Sequence, residues 1–62
     1  MNKKGIVSDL NSNFAKVTLQ DMDNTVTDWL PINSINISVG DQVVICFYNQ
    51  NLKDGVIVEK VG

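Results

Sequence analysis

Histidine and arginine are absent from these 62 residues, and cysteine, proline and alanine occur once each. Without an imidazole the commonest general base is missing. Without a guanidinium, the bidentate phosphate fork is missing too. The one thiol, Cys46, cannot close an internal disulfide, and with no histidine a zinc site lacks ligands. Positive charge is scarce: five Lys stand against seven acids, a net charge of −2. That is the wrong sign for an electrostatic nucleic-acid binder. No apolar run approaches the roughly 20 residues of a membrane-spanning helix. Behind Lys3 and Lys4, a signal-peptide core is interrupted by Ser8, Asp9 and Asn11. These absences predict a non-enzymatic module with no metal and no cofactor, not secreted by a signal peptide.

The length allows one domain, residues 1–62. A domain of this size buries only about 60% of its unfolded surface. With disulfide and metal set aside, self-association is the expected extra stabiliser.

What is present points to strands. Val and Ile supply 15 residues, against four Leu and one Ala. β-Branched side chains lose rotamer freedom in a helix and pack well on a pleated surface. Eight Asn cluster where turns belong. Asp23-Asn24, two residues tolerant of positive φ, predicts a primed two-residue turn between strands at 14–22 and 25–30. Asn11-Ser12-Asn13 separates a first strand at 5–10 from the second, and residues 49–54 separate strands at 42–48 and 55–61. Pro31 cannot donate to a ladder, so the third strand ends there or lies at an edge. Residues 32–38 leave room for one helical turn, and Val39-Gly40-Asp41 makes a tight turn into the fourth strand. The expected fold is all-β: five short antiparallel strands in a nearly continuous meander, closed into a small OB-like barrel, with an SH3-like barrel as the alternative.

Period-2 alternation supplies the core. Ala15, Val17 and Leu19 share one face, as do Val43, Ile45 and Phe47, with Val56 and Val58 from the last strand and Val7 and Leu30 added. The opposite faces are apolar in part. Phe14, Trp29, Val44, Tyr48 and Ile57 are predicted to point outward as contacts with another subunit or partner.

Other motifs fail on inspection. Asp21-Met22-Asp23-Asn24-Thr25 opens like a calcium loop, but Val26 stands where the turn needs Gly and Ile32 where it needs Glu. Asn36-Ile37-Ser38 matches the glycosylation pattern without a secretory context. Cys46 has apolar neighbours and reads as a small hydrophobe. A small oligonucleotide-binding protein is the alternative functional class. The aromatics it could stack on are Phe14, Trp29 and Tyr48, since Phe47 reads as core, and Lys3, Lys4 and Lys16 could form a small basic patch.

Four segments in order carry a resemblance: Gly5-Ile6-Val7 with Asp9, Trp29-Leu30-Pro31-Ile32, Val39-Gly40-Asp41-Gln42-Val43, and Asp54-Gly55-Val56-Ile57-Val58. Together they resemble the OB-fold domain of phage baseplate assembly protein V and related tail-spike proteins. Gly5, Pro31, Gly40, Asp41 and Gly55 are the motif positions. The resemblance implies a structural or adaptor module of a phage-tail-like assembly, prophage-borne or virion-borne. A homo-oligomer is expected, a trimer by the family's habit, with other tail and baseplate proteins as partners. Such a protein would reside in the bacterial host's cytoplasm or in the assembled particle. Family members continue beyond the barrel into a spike. This sequence stops at Gly62, so the needle itself is expected on another chain.

Overall fold

The β-branched segments form six strands in a computed structural model that describes residues 2–32, 35–49 and 53–61. They are β1 (Asn2–Asn11), β2 (Phe14–Leu19), β3 (Thr25–Val26), β4 (Leu30–Pro31), β5 (Gln42–Phe47) and β6 (Gly55–Val61). A 3-10 turn over Gln20–Met22 is the one helical element among the described residues. No helix there is long and apolar enough to cross a membrane.

Local chemistry accounts for the turns. Asp23 and Asn24 both take positive φ, 60° and 58°, which the left-handed tolerance of Asx side chains permits. The second strand ends at Leu19, earlier than expected, because residues 20–22 wind into the 3-10 turn ahead of that pair. The first strand begins at Asn2 instead of residue 5. The third strand is in two pieces, which makes six strands of the expected five. Both pieces pair with β2, and Thr27 spans the break. Its N–H donates to the Val17 carbonyl at 2.8 Å, and its Oγ1 accepts from the Val17 N–H at 3.1 Å. A side chain thus replaces the ladder where the backbone departs. Pro31 lies on β4, which among the described residues pairs with β2 alone, so its missing donor faces no partner strand there.

The strand order is β3-β2-β1-β5-β6, every pair antiparallel. The expected meander is therefore wrong at one step. After β4 the chain returns to lay β5 beside β1, which is the Greek-key order. β1 serves both halves, pairing with β5 through Asn2–Ile6 and with β2 through Ile6–Asn11. β4 and β6 approach one another as the sheet curls, but no ladder joins them among the described residues, so the sheet is not closed.

The concave side holds the core. Val7, Ala15, Val17, Leu19, Leu30, Val43, Ile45, Phe47 and Ile57 are buried there, and Ile37 caps it from the β4–β5 connection. The alternation in β2 and β5 is as the sequence predicts. In β6 it is shifted by one: Ile57 is inside at 0% exposure, and Val58 is outside at 44%. The cause is the register of the β5–β6 hairpin, which sets Gly55 opposite Phe47 and Ile57 opposite the buried Ile45; a β-bulge opposite the Val44–Ile45 step follows and turns Glu59 out beside Val44. Of residues 32–38, which leave room for one helical turn, 33 and 34 lie outside the described residues, as do 50–52 of the last turn.

Asp41 ties three elements together. Its carboxylate accepts the Ser38 N–H at 2.8 Å and lies 3.4 Å from the Lys60 ammonium. Its own carbonyl accepts the Val7 N–H, while Gly40, at φ 96°, donates to the Val7 carbonyl. The Ser38 N–H first, and Lys60 after it, hold the Asp41 carboxyl below its ordinary range against the opposing effect of desolvation. A depressed pKa contributes stability above the unfolded value of about 3.9 and loses it as pH falls through the folded value. Asp41→Asn is therefore expected to be less stable than the wild type at pH 7. Denaturant midpoints of the two should converge as pH drops below about 4. A gap of constant size at every pH contradicts this role.

Candidate functional site

The outer face of the sheet is the surface available for function. In β2, Phe14, Lys16 and Thr18 alternate with the buried set and face out. On the neighbouring edge Leu30 points in, so Trp29 and Pro31 point out, Pro31 directly opposite Phe14. The Lys16 ammonium stands 5.1 Å from the centre of the Trp29 ring, a cation–π pair that closes this row.

β1 completes the patch through a second bulge. Strict alternation from the buried Val7 would turn Asp9 inward. The register instead passes from Val7↔Val17 to Asp9↔Lys16, so Ser8 is the extra residue. Directly opposed residues share a face, so Asp9 joins Lys16 outside, and Leu10 turns in against the core. Asn11 lies opposite Phe14. The outer face at this end therefore presents Asp9, Asn11, Phe14, Lys16, Trp29 and Pro31.

A second outer row belongs to β5 and β6. Val44, Cys46 and Tyr48 alternate with the core residues; Val56 lies opposite Cys46, and the bulged Val58 stands beside it. Tyr48 and Val58 are 52% and 44% exposed. At the other end of β1, an open cavity of about 520 Å³ is lined by Lys3, Lys4, Gln20, Asp21, Gln42 and Val44, with Asn2 and Gly5. It exists because β2 leaves the sheet at Leu19 while β1 runs on to Asn2. Lys3 is paired with Asp21 across it at 3.5 Å.

The five residues predicted as contacts do not make one surface. Phe14 and Trp29 share the first patch; Val44 and Tyr48 belong to the second row. Lys4 opposes Val44 and Asn11 opposes Phe14, so seven residues of β1 separate them, about 23 Å along the strand. Ile57 is a correction: it is wholly buried, because it lies directly opposite the buried Ile45 on the core face. The motif positions act within the chain. Gly5 and Gly55 leave no room for a side chain: an added Cβ would stand 2.4 Å from Val17 Cγ1 and 2.6 Å from Phe47 Cδ1, respectively. Among the described residues no three Cys, Asp or Glu side chains converge as metal ligands would. Asp9 and Asn11 escaped the sequence reading, since nothing in residues 7–11 marks a bulge. Comparison with family models, curated proteins and solved structures finds no match for the chain.

Proposed function

We propose that this chain is a non-catalytic structural module, an OB-like barrel that works by packing against copies of itself and other chains of a phage-tail-like assembly. The observation that carries the packing role is the solvent-side row Val44, Cys46, Tyr48, Val56 and Val58 on β5 and β6. In so small a domain, apolar side chains left outside the core favour a partner surface. The barrel reading draws support from the Greek-key order and the curl of β4 toward β6, since an OB-fold is a partly open Greek-key barrel. The assembly reading draws support from where the four resembling segments fall. Gly5 lies under the β1–β2 crossing, Trp29-Leu30-Pro31 forms the edge, Val39-Gly40-Asp41 makes the turn, and Gly55 lies against Phe47.

Light scattering on the purified chain tests the self-association. The expected mass is a small multiple of 6.9 kDa, with the trimer favoured by the resemblance. Val58→Asp is expected to shift that mass to the monomer without altering the circular dichroism, because Val58 is outside the core. A wild-type chain of 6.9 kDa throughout the micromolar range removes the homo-oligomer. The oligonucleotide alternative draws support from Phe14, Lys16 and Trp29, because OB-folds bind such ligands on the face of strands 2 and 3. It ranks second because the chain is acidic.

A further inference from the structure

We infer that the free edge of β1 at residues 2–4, with the open cavity beside it, docks an acidic segment of another protein as an added strand. The site borders the β5–β6 row at Val44. It does not depend on self-association through that row.

Alternate residues of a strand direct their backbone groups to opposite edges. Val7 directs both of its groups toward β5: its N–H donates to the Asp41 carbonyl at 2.9 Å, and its carbonyl accepts the Gly40 N–H at 2.8 Å. By that alternation Gly5 and Lys3 also face β5, while Ile6, Lys4 and Asn2 face the other way. Ile6 meets Thr18 of β2 there. Lys4 and Asn2 meet no strand among the described residues, because β2 ends at Leu19 and the chain winds into its 3-10 turn. The N–H and carbonyl of both residues are thus left open along about 7 Å of edge. Such an edge is a template for one more strand. The cavity lies against it, and its 520 Å³ falls within the roughly 300–1,000 Å³ of ordinary ligand pockets.

Charge selects the occupant. Lys3, Lys4 and Asp21 are the charged residues of the lining, a net +1 on a chain of −2. Asp21 holds Lys3, while Lys4 is exposed and has no ion-pair partner among the described residues. A second copy fits poorly by either of its longer edges. Two β1 edges joined about a twofold axis would set Lys3 or Lys4 against itself, and like charges directly opposed are destabilising. On β6, Glu59 shares the outer face with Val44 and Lys4. Seating it antiparallel against Lys4 would bring Lys60 against Lys3, again like against like. A segment of another chain meets no such opposition. Its residue paired with Lys4 lies on the same face, where a Glu or Asp places its carboxylate beside the ammonium. The lysines that keep copies apart therefore favour an acidic strand.

The test is an amide-proton NMR titration of the whole chain with three end-capped hexapeptides, each to about 5 mM to reach weak affinities. One alternates Glu and Val, one alternates Lys and Val, and the third is the Glu-Val peptide N-methylated at every Glu. The Glu-Val peptide is expected to give saturable shifts at residues 2–5, Gln20, Asp21 and Gln42, and to slow hydrogen exchange of the Lys4 amide. The other two are expected to bind at least about fivefold more weakly, one for lack of backbone donors and one for its charge. Lys4→Glu, a change at the surface, should reverse the preference between the acidic and the basic peptide. Val58→Asp should leave all three affinities unchanged, whatever it does to the oligomer. No saturable shifts with the Glu-Val peptide overturn the proposal. So does equal binding of its N-methylated form, which excludes strand addition, or of the Lys-Val peptide, which excludes selection by charge. A Lys4 amide whose protection in the free chain rises with protein concentration also overturns it, and assigns the edge to a second copy.

Discussion

Replacing Ile57 by Ala is expected to cost about 2–5 kcal/mol, the range for truncating a large aliphatic side chain in a packed core. A 62-residue domain has only about 3–9 kcal/mol in total, at roughly 0.05–0.15 kcal/mol per residue. The variant should therefore melt more than about 10 °C lower or not fold at ambient temperature. Ile57 has no exposed surface and belongs to one buried cluster with its strand partner Ile45 and with Phe47. The adjacent Val58→Ala is expected to stay within about 0.5 kcal/mol of the wild type in the monomer, since a half-exposed bulge residue loses little burial. The pair of variants is the measurement: two neighbouring β-branched residues, one chemical change, opposite outcomes. Equal losses in urea melts, or the larger loss at Val58, mean that β6 is in the other register.

That contrast also marks where the sequence stops being readable. Val56-Ile57-Val58 is apolar at every position, so no alternation indicates which face is inside. A one-residue slip exchanges the two, and here the pairing of Ile57 with the buried Ile45 decides which is inside. The bulge at Ser8 has no side-chain signature either, and it breaks the alternation that would otherwise have placed Asp9. Positions with local causes were legible. Asp23-Asn24 adopts its left-handed pair, and Ala15-Val17-Leu19 and Val43-Ile45-Phe47 face inward as their period requires. The break at Thr27 was not, because it depends on a hydroxyl reaching Val17 ten residues earlier in the chain. Nor was the return of β5 to β1: pairing between strands distant in sequence leaves no trace in either strand's own pattern. The outer patch around Phe14 inherits both blind spots, since one bulge and one edge break assemble it.

Gly5→Ala is expected to destabilise the chain by about 1–3 kcal/mol, toward the upper end of the range for forcing atoms into a filled core. The added Cβ would meet Val17 Cγ1 at 2.4 Å, the Thr18 carbonyl oxygen at 2.7 Å and Leu19 Cδ2 at 3.1 Å. Val17 and Leu19 are fully buried, and a backbone oxygen cannot rotate away. The crowding arises because β1 passes at this point from pairing with β2 to pairing with β5, Ile6↔Thr18 on one side and Gly5↔Val43 on the other. One strand can serve both halves of the sheet only if its backbone crosses close over β2, and only glycine permits that approach. Val17→Ala in the same chain should relieve the shortest contact and leave the carbonyl clash. The double variant is then expected to be more stable than the sum of the two single losses predicts, by about 0.5 kcal/mol or more. Strict additivity, or a Gly5→Ala variant as stable as the wild type, would mean that β1 does not make this crossing. Gly40→Ala is a contrasting case, since a Cβ there meets nothing within 4 Å and only the positive φ opposes it. Its cost of about 1–2 kcal/mol is conformational and should not change with the volume of neighbouring core residues.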